Sequence, residues 1–333
     1  MSLRSRDCSA IGVCNFIVNK GGCMQERRSV IIGCGIMGRD IAAIFLAGSW
    51  TVQVVESNEA KWAEAARLIE TAVRQLGASF ERDRLVFRTE LGKVDWADTD
   101  VVLEAIVENL DAKRALFESL DHLVPPGVPI GSNSSSMRIS DVAQRCETAF
   151  RMANTHFFQP AHLVPLVEIA KGEKTAGATI DALYAIFREL GRAPVRVNKD
   201  VPGFLANRIQ HALMREVFSV IDSGLASAGD VDIAVQFGFG FRYAAAGPIL
   251  LKEFAGFDTQ HAAATVIYPS LCNDTAPSRT LAELVARGHL GMKTRHGMRS
   301  WTEAEIAEEQ ARYETALMRA AQVLGPVPAN EEG

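Results

Sequence analysis

The sequence predicts an α/β protein: a doubly wound parallel sheet with flanking helices, followed by an all-α C-terminal domain. Three observations predict it. Strand-like and helix-like apolar periods alternate over about 150 residues, as a parallel sheet with crossover helices requires. After Asp200-Val-Pro-Gly203 the periodicity is helical throughout. The length of 333 residues exceeds the usual size of one hydrophobic core, so two domains are expected, over 25–200 and 201–326.

The elements follow in order. Residues 1–24 carry three of the six cysteines and lack the apolar core and small-residue cleavage site of a secretory signal, so they read as an extended or disordered leader, with a short targeting segment as the other reading. Residues 29–32 make a first strand, Gly33-Cys-Gly-Ile-Met-Gly38 a tight turn, and a helix of small and apolar residues runs to Ala47, where Gly48 supplies the stop. Residues 50–55 are the second strand. Val101-Val-Leu103 reads as a buried strand, 110–123 as a helix, and a further strand leads into Gly131-Ser-Asn-Ser-Ser-Ser136. In the second domain a helix is expected over 204–221, another is capped at Ser227-x-x-Asp230, and helices continue to Val323.

Composition narrows the partners. The net charge is -5, from 35 basic and 40 acidic residues without long like-charge blocks, which leaves no electrostatic footprint for nucleic acid or a membrane surface. No apolar run approaches the roughly 20 residues that span a bilayer. The cysteines include no C-x-x-C pair and match neither a zinc module nor a disulfide framework, so a reducing, cytoplasmic setting and no metal are expected. A small molecule is the expected partner.

The glycine turn has the context that gives G-x-G-x-x-G its meaning: it follows a strand, opens a helix, and an acid, Glu56, ends the next strand. Gly33 permits the tight turn, Gly35 lets the backbone approach a pyrophosphate, and Gly38 allows close packing, while the helix N-terminus, with Ile36 and Met37, favours phosphate charge. Glu56 would accept hydrogen bonds from ribose hydroxyls and repel a 2′-phosphate. The set is Rossmann-like and points to NAD rather than NADP.

A second constellation is Asn154-Thr-His156-Phe-Phe-Gln-Pro160 followed by Leu163-Val-Pro-Leu-Val-Glu168-Ile169. Two apolar runs flank a turn centred near His162, so an antiparallel hairpin places positions summing to about 324 opposite one another, His156 and Glu168 among them. A carboxylate beside an imidazole fixes its tautomer and stabilises the imidazolium, which a general base needs. On its own a strand histidine is more often a satisfied core residue, and the facing glutamate brings the two readings level.

This segment resembles the signature of the 3-hydroxyacyl-coenzyme A dehydrogenase family, roughly HFFNP followed by a strand ending in LVE. The likeness includes Leu103-Glu-Ala-Ile-Val-Glu-Asn109, Ser132-Asn-Ser-Ser-Ser136, Lys199-Asp-Val-Pro-Gly-Phe204 with Asn207-Arg208, and Gly291-Met-Lys-Thr294. The resemblance implies NAD-dependent oxidation of a (3S)-3-hydroxyacyl-CoA to the 3-oxoacyl-CoA, as in fatty acid metabolism. It implies that His156 removes the hydroxyl proton, that Glu168 orients it, and that Ser135 and Asn207 hydrogen-bond the reacting oxygen or organise the histidine. Ala105, Ile106, Glu108 and Lys113 fall where the family contacts the cofactor, with Asn133 at the rim of the nicotinamide site. A homodimer formed through the helical domain is implied as well. Each has a plain structural reading: the serines end a strand and cap a helix, Asn207 begins one, and Glu108 and Lys113 are first-turn charges on a solvated face.

Three departures bear on substrate. Gln159 stands where the family has asparagine, which shifts the reach of its amide. The stretch 240–248 is a longer loop carrying Arg242 and resembles the gulonate dehydrogenase and lambda-crystallin branch, so a free hydroxy acid such as gulonate or carnitine is the alternative substrate; Arg242 reads equally as the group that grips its carboxylate or as an arginine exposed on a loop. Thr294-Arg-His-Gly297 replaces a glycine-rich turn. A catalytically silent NAD-binding homologue is the remaining alternative.

Overall fold

The computed structural model describes residues 26–325, so the expectation for 1–24 lies outside the described residues. Eight strands, β1 (Arg28–Ile32), β2 (Thr51–Val55), β3 (Leu85–Arg88), β4 (Val101–Glu104), β5 (Ile130–Ser132), β6 (Met152–Phe157), β7 (Leu166–Ala170) and β8 (Ala193–Val197), form one sheet. Their order is β3-β2-β1-β4-β5-β6-β7-β8. All neighbours pair in parallel except β6 with β7. The strand order reverses between β1 and β4, and at such a switch point the crevice beyond the carboxyl ends of the strands takes a ligand.

The central strands β1, β2 and β4 are buried along nearly their whole length because helices cover both faces. Along β1 successive side chains serve opposite cores: Ile31 packs with the helices α1 (Ile36–Ala47), α2 (Trp62–Gln75) and α5 (Gly177–Glu189), whereas Val30 and Ile32 pack with α3 (Leu110–Leu123) and α4 (Ile139–Val142). The α1 helix ends where Gly48 was expected to stop it, but for a different reason. The left-handed residue is Ser49, at φ 65°, whereas Gly48 has φ -81°. A Cβ on Gly48 would meet Leu190 Cδ2 at 2.4 Å, so the glycine makes room for packing rather than for a turn.

The chain divides into two compact units after Val201. The second consists of α6 (Ala206–Asp222), α7 (Ala228–Ala234), α8 (Gly240–Tyr243), α9 (Pro248–Ala255), α10 (Phe257–Ile267), α11 (Arg279–Ala286) and α12 (Glu303–Leu324). The helix expected from residue 204 begins at Ala206, because Phe204 has φ 44° and cannot enter a right-handed helix. Ser227 caps α7 as its spacing suggested, accepting from the Asp230 N–H at 3.1 Å. The stretch read as a loop carrying Arg242 is helical at Gly240–Tyr243, continuing a π-helical turn over Val235–Phe239. Arg295 and His296 lie exposed, Arg295 paired with Glu303 at 3.1 Å. No residue of α6 to α12 is buried. Among the described residues, no helix is long and apolar enough to cross a membrane.

Candidate active site

The glycine turn lies at the switch point. Gly33 has φ 98°, and a Cβ there would lie 2.6 Å from the Ala105 carbonyl oxygen, so only glycine allows β1 to turn beside the end of β4. A Cβ on Gly38 would lie 2.0 Å from the Gly33 carbonyl oxygen, so the close approach expected of this residue is to the turn itself. At Gly35 a Cβ would meet nothing within 4 Å. That open space, at an α1 N-terminus with no side-chain cap and no acid in its first turn, fits a pyrophosphate on the helix N–H groups. Ile36 and Met37 form the first helical residues, Ile36 being exposed.

Glu56 follows the last residue of β2. Its N–H donates to the Arg88 carbonyl at 2.9 Å, its own carbonyl accepts from Trp62 Nε1 at 2.9 Å, and Oε1 accepts from the Asn58 N–H at 3.0 Å. Lys61 Nζ stands 4.0 Å from the same oxygen. The carboxylate thus stands at the end of the strand that neighbours the turn.

The β6–β7 ladder carries the expected pair. The register sets His156 opposite Glu168 and Asn154 opposite Ala170. His156 Nδ1 lies 2.7 Å from Glu168 Oε2, with the glutamate fully buried and the histidine 5% exposed. Phe158 meets the imidazole edge-on at 4.6 Å between ring centres. A buried carboxylate on Nδ1 sets the tautomer and assigns proton exchange with a bound molecule to Nε2. Gln159 and cis-Pro160 follow, Gln159 exposed.

Between the turn and the histidine lies a charge network that the sequence did not disclose. Glu104, the last residue of β4, is fully buried. Its Oε1 accepts from Lys113 Nζ at 2.5 Å and from the Ile106 N–H at 2.7 Å, and its Oε2 from Ser132 Oγ at 2.6 Å. Lys113 is 1% exposed, so it does not belong to a solvated helix face. It also stands 3.4 Å from Glu108 Oε2. Glu108 Oε1 in turn accepts from Ser134 Oγ, from the N–H groups of Ser135 and Ser136, and from Ser136 Oγ. Burial pushes the Glu108 carboxyl up, but Ser134, Lys113 and Ser136 outweigh it and hold the group below its usual value.

The serine loop is fastened to β6 too. Asn133 Oδ1 accepts from the Phe157 N–H at 2.9 Å, and Asn154 accepts from the Ile139 N–H at 2.7 Å while donating to the Met137 carbonyl at 3.1 Å. Thus Ile106, Glu108, Lys113, Asn133 and Ser135, the last exposed, belong to one hydrogen-bonded assembly with the His156 strand, whereas the Ala105 N–H donates to the Ile32 carbonyl of β1 at 2.8 Å. Glu104, Ser132 and Asn154 are members that sequence reasoning passed over. The available signal was an acid closing an apolar strand with a lysine nine positions on. Asn207 in α6 is half-buried and Arg242 in α8 exposed; both belong to the second unit. Among the described residues no three His, Cys, Asp or Glu side chains are placed to hold a metal ion.

Comparisons with known proteins accord with this geometry. Residues 29–201 match the NAD-binding domain of 3-hydroxyacyl-CoA dehydrogenase and 203–301 its C-terminal domain. The chain is 33% identical over 282 residues to the mitochondrial hydroxyacyl-coenzyme A dehydrogenase of Homo sapiens, covering 80% of this chain and 88% of that one. It is 32% identical over 295 residues to the L-carnitine dehydrogenase of Streptomyces coelicolor, covering 80% and 92%. Among solved structures, 5-formyl-3-hydroxy-2-methylpyridine 4-carboxylic acid 5-dehydrogenase, an NAD+-dependent dismutase, superposes with a TM-score of 0.85 at 28% identity, over 90% of this chain and 99% of that one. The turn, the acid after β2 and the matched domains make NAD the cofactor, and the chain belongs to the 3-hydroxyacyl-CoA dehydrogenase family.

Proposed function

We propose that this protein oxidises the 3-hydroxyl of a (3S)-3-hydroxyacyl-CoA to the 3-oxoacyl-CoA. The observation that carries the reading is the buried contact of 2.7 Å between His156 Nδ1 and Glu168. When bound, NAD supplies the acceptor for the hydride leaving carbon 3. His156 Nε2 takes the hydroxyl proton, and Glu168 stabilises the imidazolium that forms. Ser135 and Asn207 hydrogen-bond the reacting oxygen or organise the histidine around it. Gly33, Gly35, Ile36, Met37 and Gly38 hold the pyrophosphate, Glu56 the adenosine ribose, and Ala105, Ile106, Glu108, Lys113 and Asn133 the nicotinamide half. Gln159 contacts the substrate near the reacting carbon.

A second reading is supported by the likeness to enzymes named for L-carnitine and for a pyridine carboxylate: the same base acting on a free carboxylate, with Arg242, exposed and without an ion-pair partner among the described residues, gripping it bidentately. The uncovered apolar faces of α6 to α12, with Ile209, Phe237, Phe241, Phe254 and Phe257 exposed, support a homodimer in which a second copy covers the helical domain. The cysteine usage supports a cytoplasmic location. The test is the initial rate of NAD reduction with 3-hydroxybutyryl-CoA, L-carnitine and L-gulonate, for the wild type and His156→Gln. Turnover of the thioester alone, abolished in the variant, supports the first reading. Turnover of a free acid alone replaces it with the second, and a variant that retains near-normal turnover removes the base.

A further inference from the structure

We propose that Glu104 is a positioning residue for the cofactor: its buried carboxylate ties the segment after β4 to the loop after β5 and holds both in the geometry that grips NAD. The inference rests on the reading above that sets residues 105–108 and Asn133 against the cofactor. Glu104 closes the central strand at the switch point, in register with Ile32 of β1 and Ser132 of β5. Its backbone carbonyl accepts from the Asn133 N–H at 2.8 Å, and its side chain accepts from three partners on three segments: Ile106 after β4, Lys113 in α3 and Ser132 in β5.

These bonds close a ring. From Glu104 it runs through Lys113 to Glu108, from Glu108 to Ser134, Ser135 and Ser136, and back along the chain to Ser132. Lys113 is the one cation in the ring, held between two carboxylates, at 2.5 Å from Glu104 and 3.4 Å from Glu108. Glu108 thereby remains available to the serine loop instead of being drawn wholly onto the ammonium. A buried ion pair that spans three segments is weak support for stability and better suited to fixing one arrangement among several.

The substitution Glu104→Gln isolates the charge. Its amide oxygen can still accept from Ile106 and Lys113, while its amide nitrogen donates to Ser132 Oγ in place of accepting from it, so the anion is lost and the Ser132 bond reverses its direction. Lys113 then has Glu108 as its remaining counter-ion and pulls it off the serine loop. We expect the Kd for NAD, measured by calorimetry, to rise about tenfold or more, the worth of a hydrogen bond to a charged group, with the KM for NAD rising in parallel and the KM for the second substrate within about twofold. Ser132→Ala, which removes one neutral donor from Glu104 and threatens the fold little, should raise the same Kd about threefold. Both variants are compared well below their melting temperatures, where the folded fraction is near one, so partial unfolding does not raise the apparent Kd. A wild-type Kd in both variants, or in Ser132→Ala if Glu104→Gln does not fold, overturns the proposal. His156→Gln, with its Kd for NAD intact and turnover lost, reports separately on the base, and a wild type without turnover ends that reading while leaving the Kd comparison standing.

Discussion

Replacing Glu168 with glutamine tests the base and its orienting group together. The carboxylate is fully buried and 2.7 Å from His156 Nδ1, so glutamine keeps the volume and can still reach the ring. Two losses follow. The imidazolium that forms as the substrate proton leaves gives up a hydrogen bond to a charged group, worth about 1.5–3 kcal/mol, or roughly 10- to 100-fold in rate. The glutamine amide also donates to Nδ1, which places the ring proton on Nε2, the nitrogen that must accept. A wrong tautomer of this kind has cost up to about 10⁴-fold in a hydrolytic triad. We expect kcat to fall between about 10² and 10⁴-fold, with the Kd for NAD unchanged because the pair lies outside the glycine turn. The assay is the initial rate of NADH appearance at saturating NAD, with a thermal melt to establish folding. A folded variant whose kcat falls less than about tenfold refutes the reasoning, since neither charge nor tautomer would then matter.

Three further outcomes follow from the geometry. Gly35→Ala should fold with an unchanged melting temperature and lose NAD binding, because its Cβ meets nothing within 4 Å, whereas Gly38→Ala should lose stability as well, its Cβ falling 2.0 Å from a backbone oxygen; calorimetry and thermal melts separate the two. Burial pushes the Asp121 carboxyl up, but hydrogen bonds from Thr148 Oγ1 and the N–H groups of Glu147 and Thr148, with the charge of Arg151, hold it below its usual value. Its folded pKa being depressed, its stabilisation is present above the ordinary aspartate value of about 4 and lost as pH falls through the folded one, so urea midpoints of wild type and Asp121→Asn should differ at neutral pH and converge in acid. Burial, with Glu56 adding to it at Cys34, raises the thiols of Cys34 and Cys146 to about 11, and both are inaccessible, so iodoacetamide at mildly alkaline pH should modify the half-buried Cys272 before either, as read by peptide mass spectrometry.

Short-range physics carried much of the fold and the site into the sequence. The glycine turn is legible because Gly33 must adopt φ 98° wherever a strand turns sharply into a helix, and Glu56 because it ends the strand that follows. The pairing of His156 with Glu168 is legible because an antiparallel hairpin fixes register through the length of its own turn. Helix ends marked by a local cap, such as Ser227, were legible for the same reason.

Other features arise from residues distant in the chain. Gly48 is needed because Leu190, on the far side of the sequence, packs against it, and no local pattern records that. Lys113 reads as an ordinary charge in the first turn of a helix; it is buried because packing α3 on the sheet brings it to Glu104, whose partners come from β5 and the segment after β4. The sequence by itself determined the alternating strands and helices, the cofactor turn and the histidine's partner, since each depends on residues close in the chain or opposed in one hairpin. Only the tertiary structure decided which charges are buried together, because burial is a property of the surfaces that meet and not of the residues that carry them.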